Sequence, residues 1–310
     1  MAIKPSSFPP ASRSLRTRKR LLAGPDAEHL RNMVETATIE LVPMKSLDRA
    51  ISELRPASTI SMTCSPAKSI EATLDAAEEL IAAGHRVTPH ISARMVQTPD
   101  HLRSIHERLG QLGIREIFLV AGDASPPGYL FDAIEFLDEF LRLDDADGSQ
   151  HRQIDHIGYT AYPDAHPIIP EEQLHAALHR KQGMILASGR TAHVSTQMCF
   201  SPDEIRGWLR RERDAGLTVP VHLGIPGVLE ITKLMTTGMR LGVGPSLRYL
   251  SKNRRALRRL MTQRSFEPDT LLRPLASDLA PLGVDGIHLY TFNQVDTTEL
   301  WRERTLTEAS

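Results

Sequence analysis

The 310-residue sequence is short of several things, and each shortage narrows what the chain can be. Its two cysteines, Cys64 and Cys199, stand alone in the sequence with no CxxC pair. A disulfide scaffold is therefore excluded, and a reducing, cytoplasmic setting is the expectation. Aromatic residues make up only 5%, yet 41% of the chain is hydrophobic, too much for a disordered or collagen-like protein. Long apolar runs are missing: the purest stretches are short pieces such as 117–121, far below the roughly 18 residues of a membrane helix, so no membrane span is expected. No GxGxxG turn occurs, which argues against an open dinucleotide-binding sheet.

Acid is absent from residues 1–25, which carry Lys4, Arg13, Arg16, Arg18, Lys19 and Arg20 for a charge of +6. The rest of the chain is left at −7, and a mildly acidic body argues against nucleic acid as a partner. The arm lacks the apolar centre of a secretory signal. It reads as a basic N-terminal arm over 1–36 that packs on the body or stays mobile, with a transit peptide as the alternative. A second basic run, 248–259, reads as a solvated helix face.

What is present is alternation. Apolar or β-branched runs at 38–42, 58–63, 86–91, 115–120, 154–160, 192–198, 219–223 and 286–291 predict eight strands. Helical periodicity fills the gaps over 69–83, 99–112 and 202–215, each followed by a stopping glycine, Gly84, Gly113 or Gly216. Thr98 and Ser201 are natural N-caps, each with proline at the first helical position. Eight βα units over 37–310 predict an α/β fold, a (β/α)8 TIM barrel in one domain, with its active site at the C-terminal strand ends.

Polar residues at those ends are Glu40 in strand one, Thr63 ending strand two, His90 near the end of strand three and Asp123 after strand four. Tyr162, Asp164 and His166 follow strand five, Gln197 lies in strand six, and Asn293 follows strand eight. The seven lysines all fall outside the strands, which excludes a Schiff-base aldolase. The first strand, TIELV, has no HxH for a metal-dependent amidohydrolase, and His175 and His179 in HAALH lack the glutamate of HExxH. That pair reads as an exposed helix face, and no metal is expected. Glu40, an acid inside a barrel, reads as a general acid or as the partner of an arginine such as Arg94.

The ordered succession TIELVP, ISMTC, PHISAR, FLVAGD, GYTAYPDAHP, VSTQMCF, LGIPG and GIHLYTFN resembles the methylenetetrahydrofolate reductase family over roughly 38–293. The resemblance implies a barrel of one-carbon metabolism that reduces 5,10-methylenetetrahydrofolate to 5-methyltetrahydrofolate for methionine biosynthesis. Carried over position by position, it makes Glu40 the general acid and gives Asp123 and Gln197 to the tetrahydrofolate substrate. Thr63, His90, Gly122, Tyr162 and His166 match residues that hold FAD. The family's Arg-Gly-Asp turn is Ala121-Gly122-Asp123 here, and Lys181 sits in a stretch longer than the family's. Loss of a guanidinium beside a diphosphate predicts weak FAD binding and direct hydride transfer from NADH or NADPH. A pterin-binding methyltransferase and a non-catalytic folate-binding barrel are the alternatives; homo-oligomers are compatible with the sequence.

Overall fold

The computed structural model describes residues 26–146, 152–231 and 265–307. The basic residues 1–25 and the run 248–259 lie outside the described residues. The barrel strands are β1 (Thr38–Leu41), β2 (Thr59–Met62), β3 (Arg86–Ser92), β4 (Glu116–Val120), β5 (His156–Ala161), β6 (Thr191–Thr196), β7 (Val221–Pro226) and β10 (Val284–Tyr290). They form one closed parallel sheet in which β10 returns to pair with β1. Two short strands, β8 (Leu229–Glu230) and β9 (Ser265–Phe266), pair antiparallel outside it.

The helices are α1 (Ala27–Glu35), α2 (Leu47–Ser52), α3 (Ile70–Ala82), α4 (Pro99–Gln111), α5 (Ala133–Ala146), α6 (Glu171–Ala187), α7 (Pro202–Asp214), α8 (Asp269–Leu279) and α9 (Val295–Thr307). Local chemistry sets their ends as expected. Thr98 and Ser201 accept from the N–H groups of His101 and Glu204, and Ser69 does the same for Ala72. The three stopping glycines have φ of +87°, +66° and +100°.

Three expectations are adjusted. Strand seven begins at Val221 instead of 219, because Pro220 has no N–H for the ladder. Strand five begins at His156 instead of 154: Ile154 gives its N–H to Asp144 and its carbonyl to Arg190, so side chains hold it. Residues 27–35, assigned to the arm, form a helix that buries Leu30, Met33 and Val34 against α9 and β10. The described part of the arm is thus one of the barrel's packed helices.

Alternation along the strands divides the molecule into two interiors. Outward residues such as Ile39, Leu41, Ile60, Ile117, Leu119, Val194, Leu223, Ile287 and Leu289 are essentially fully buried under the helices and form the apolar core. The inward set is polar and rich in histidine: Glu40, Ser61, His90, His193 and His288. Gly158 makes room for them, since a Cβ there would lie 2.5 Å from the Phe118 ring and 2.6 Å from His193.

Candidate functional site

Glu40 is 8% exposed and faces the barrel axis. Its Oε2 lies 3.1 Å from Nε2 of His288, and its backbone carbonyl accepts from Thr291 Oγ1 at 2.7 Å. The possible pairing with Arg94 is not what the structure holds. Arg94 donates from Nε to the Phe131 carbonyl at 2.8 Å and lies over the Phe131 ring. A buried carboxylate with one neutral-or-charged imidazole for company keeps lone pairs available, which suits a group that gives and takes a proton.

His90 belongs to the same cluster. The ligating atoms of Glu40, His90 and His288 all lie within 4.8 Å of one another, and His90 Nε2 is 2.6 Å from Ser61 Oγ. Burial, reinforced by His288, pulls the His90 imidazole down to about 3, so it is neutral at pH 7. Deeper in the barrel, His193 stacks on His222 at 4.1 Å and bonds His156 at 2.7 Å. Burial depresses all three, His222 to about 4.

Above this floor stands an aromatic and acidic rim. Tyr290 donates to the Thr196 carbonyl at 3.0 Å, and burial, then Glu40 and Tyr162, push its phenol well up. Tyr162 is raised by burial with Asp123 adding, and its ring meets the His166 ring edge-on at 5.1 Å. Burial lowers His166 while Asp123 opposes the shift. His166 Nδ1 accepts from the N–H groups of Ile168 and Ile169, which leaves Nε2 to carry the proton of the neutral ring. Asp123, Tyr162, His166, Tyr290 and Glu40 therefore share one electrostatic neighbourhood.

The remaining expected residues frame it. Thr63 donates its N–H to Leu41 O at 2.9 Å, while its buried hydroxyl has no hydrogen-bond partner among the described residues. Gln197 ties β6 to β5 through its N–H to Ala161 O at 2.7 Å, and its Oε1 accepts from the Met198 N–H. Gly122 has φ of +85°, and a Cβ there would fall 1.8 Å from Ser92 Oγ, so any side chain at this turn would be strained and would displace the Ser92 hydroxyl. Asn293 clamps the barrel seam, accepting from Val42 N–H and donating to Val42 O, each at 2.9 Å. It does so with φ of +60°, and Ala165 in the Tyr162–His166 turn has φ of +76°; both are strained settings of the kind that gather at sites.

Sequence reasoning missed His288, Tyr290 and Ser61. The signal existed: in GIHLY and ISM the period of two places Gly286, His288 and Tyr290, and Ser61, on the face opposite the apolar residues. It also misread HAALH. His175 and His179 do not simply face solvent, because both turn to Glu212 of α7. Among the described residues three sets of ligating side chains come close enough to hold an ion: Glu40 with His90 and His288, Glu116 with His156 and His193, and His175 with His179 and Glu212.

No protein-family model matches the sequence. Over 76 residues the chain is 35% identical to methylenetetrahydrofolate reductase 2 of Saccharomyces cerevisiae, a match that covers 24% of this chain and 12% of the yeast protein. Among solved structures, a protein from Clostridium thermocellum described as binding two copies of 5-methyl-5,6,7,8-tetrahydrofolic acid superposes with a TM-score of 0.58. It is 12% identical and covers 90% of this chain and 99% of its own, so the likeness is one of fold. A putative phosphonomutase from Burkholderia cenocepacia reaches a TM-score of 0.45 at 14% identity, covering 91% of this chain and 96% of its own. The chain is a TIM barrel, similar over 76 residues to a methylenetetrahydrofolate reductase, and among the described residues no helix is long and apolar enough to cross a membrane.

Proposed function

We propose that the barrel mouth reduces 5,10-methylenetetrahydrofolate to 5-methyltetrahydrofolate, with hydride from NADH or NADPH and Glu40 as the general acid. The observation that carries the reading is Glu40 itself, a buried mouth carboxylate whose side chain is matched to one imidazole, His288. A proton delivered from Glu40 to a nitrogen of the five-membered ring breaks its C–N bond and leaves an iminium at the other nitrogen. Hydride adds to the iminium carbon, which becomes the methyl group, and the nicotinamide leaves oxidised. His288 Nε2 is placed to return a proton to Glu40 between turnovers. Asp123 and Gln197 take the pterin, whose N–H donors and lactam edge suit a carboxylate and an amide.

Two positions at the mouth weigh against FAD, the carrier the resembled family usually holds, although Thr63, His90, Gly122, Tyr162 and His166 match residues of its cradle. Ala121 has no charge to offer a diphosphate, and its carbonyl is taken by the Arg94 N–H at 3.0 Å. Lys181 is buried away from solvent, its Nζ 3.5 Å from the Thr160 carbonyl and 4.9 Å from the Tyr159 ring centre. These arrangements favour hydride passing directly from nicotinamide to folate.

The test is an anaerobic assay of purified protein stripped of flavin. NADH oxidation is expected only when methylenetetrahydrofolate is present, with intersecting double-reciprocal lines. Activity that requires added FAD, or parallel lines, would overturn the direct route; no folate-dependent oxidation with either nicotinamide, with or without FAD, would overturn the reductase reading.

A further inference from the structure

One pair of helices outside the mouth brings together three ligating groups that the proposed reaction does not use. α6 carries His175 and His179 four residues apart, one turn above the other, with ring centres 4.6 Å apart. α7 faces them with Glu212, whose side chain is 2% exposed. Oε2 of Glu212 lies 2.7 Å from Nδ1 of His175 and 3.1 Å from Nε2 of His179. Its other oxygen lies 3.3 Å from Nε of Arg211, which also pairs with Glu171 at 3.0 Å.

The placement is costly for a merely packed interface. The neighbours of Glu212 on the buried face of α7 are Ile205, Trp208 and Leu209, and an apolar residue in its register would close the helices together without a buried carboxylate. The two imidazoles, in contrast, are 43% and 21% exposed, so the cluster has a buried anchor and an open door.

The geometry suits an ion. A tetrahedral site with bonds of about 2.0–2.1 Å sets its ligand atoms roughly 3.3–3.4 Å apart. The three atoms here are already within 4.8 Å of one another, and with Glu212 in place His175 backs away from Oε2 by roughly 0.6–0.7 Å and His179 by roughly 0.2–0.3 Å. Two nitrogens and one carboxylate oxygen make a borderline donor set, which selects zinc and its neighbours over magnesium or calcium. A cavity of about 50 Å³ lined in part by His175, Lys181 and Glu212 adjoins the cluster, room enough for a bound water as a fourth ligand.

The other two sets are worse placed. His90 Nε2 is held by Ser61 in the barrel interior, and His156 has Nδ1 on Thr191 and Nε2 on His193, each at 2.7 Å. We propose that His175, His179 and Glu212 bind a divalent transition ion of the zinc class that staples α6 to α7.

Cobalt(II) is the probe, added to the full chain. One equivalent is expected to bind with the visible absorption of a tetrahedral site, to be displaced by zinc, and to raise the melting temperature. His175→Ala and His179→Ala, both at partly exposed positions, are expected to weaken cobalt binding at least tenfold while the far-ultraviolet circular dichroism stays as in wild type. Absence of binding to wild type would overturn the proposal. So would an unchanged cobalt spectrum and stoichiometry in the double histidine variant, which would move the ion to a barrel cluster.

Discussion

Two buried carboxylates in this molecule live opposite lives. Asp144, at the end of α5 on the barrel flank, has a fully buried side chain and is saturated: His106 Nε2 lies 2.8 Å from one oxygen, Arg190 donates to the other at 2.6 Å, and the N–H groups of Gln153 and Ile154 complete the set. Those bonds, against the cost of burial, hold it down to about 2. Glu40, at the mouth, has one imidazole at 3.1 Å. The difference separates structure from chemistry. A carboxylate whose lone pairs are all spent fixes backbone in place, and one with lone pairs to spare in a cleft is free to exchange a proton.

The sharpest way to test the contrast is at Glu40. Glu40→Gln is expected to lower turnover by about two to four orders of magnitude, the usual worth of a general acid, while the melting temperature holds. Steady-state rates with saturating folate and nicotinamide check this; wild-type turnover would remove Glu40 from the acid role. Asp144→Asn is expected to do the reverse. It leaves the buried Arg190 guanidinium with Asp145 alone, at 2.7 Å, and costs about 1–3 kcal/mol, with little change in kcat for the folded fraction. Urea unfolding measures it, and a loss below about 1 kcal/mol would show that the flank network is dispensable.

A smaller effect distinguishes the interior histidines from both acids. An imidazole depressed by burial binds fewer protons folded than unfolded between its two pKa values. Its contribution is therefore intact above about pH 6.5 and is lost as the pH falls towards the folded value, about 4 for His222 and about 3 for His90. From pH 7 to pH 5 each such group costs about 2 kcal/mol of stability. Unfolding at the two pH values, in wild type and in His222→Gln, is expected to show that loss and its partial recovery. An identical pH dependence in the variant would mean that His222 is not held neutral.

Much of the fold was legible because it is built from local rules. Strand alternation, caps at Thr98 and Ser201, and stops at Gly84, Gly113 and Gly216 each act over a few residues, and the closed barrel follows from their repetition. The mouth residues were legible for the same reason: a strand's end fixes which way its last side chains face. Partners were not. The seam that sets Glu40 beside His288 joins residues 248 positions apart, and the flank network joins Arg190 to Asp144 across 46.

The sequence by itself determined the order of the eight barrel strands, the polar residues Glu40, His90 and Asp123 at their ends, and the alanine at position 121. Tertiary structure alone decided that Glu40 meets His288 instead of Arg94 and that HAALH turns towards a buried Glu212. The physical reason is range. Backbone geometry and side-chain alternation are properties of neighbouring residues, whereas a hydrogen bond between distant strands or helices exists only after closure of the barrel has fixed the register of every strand against the next.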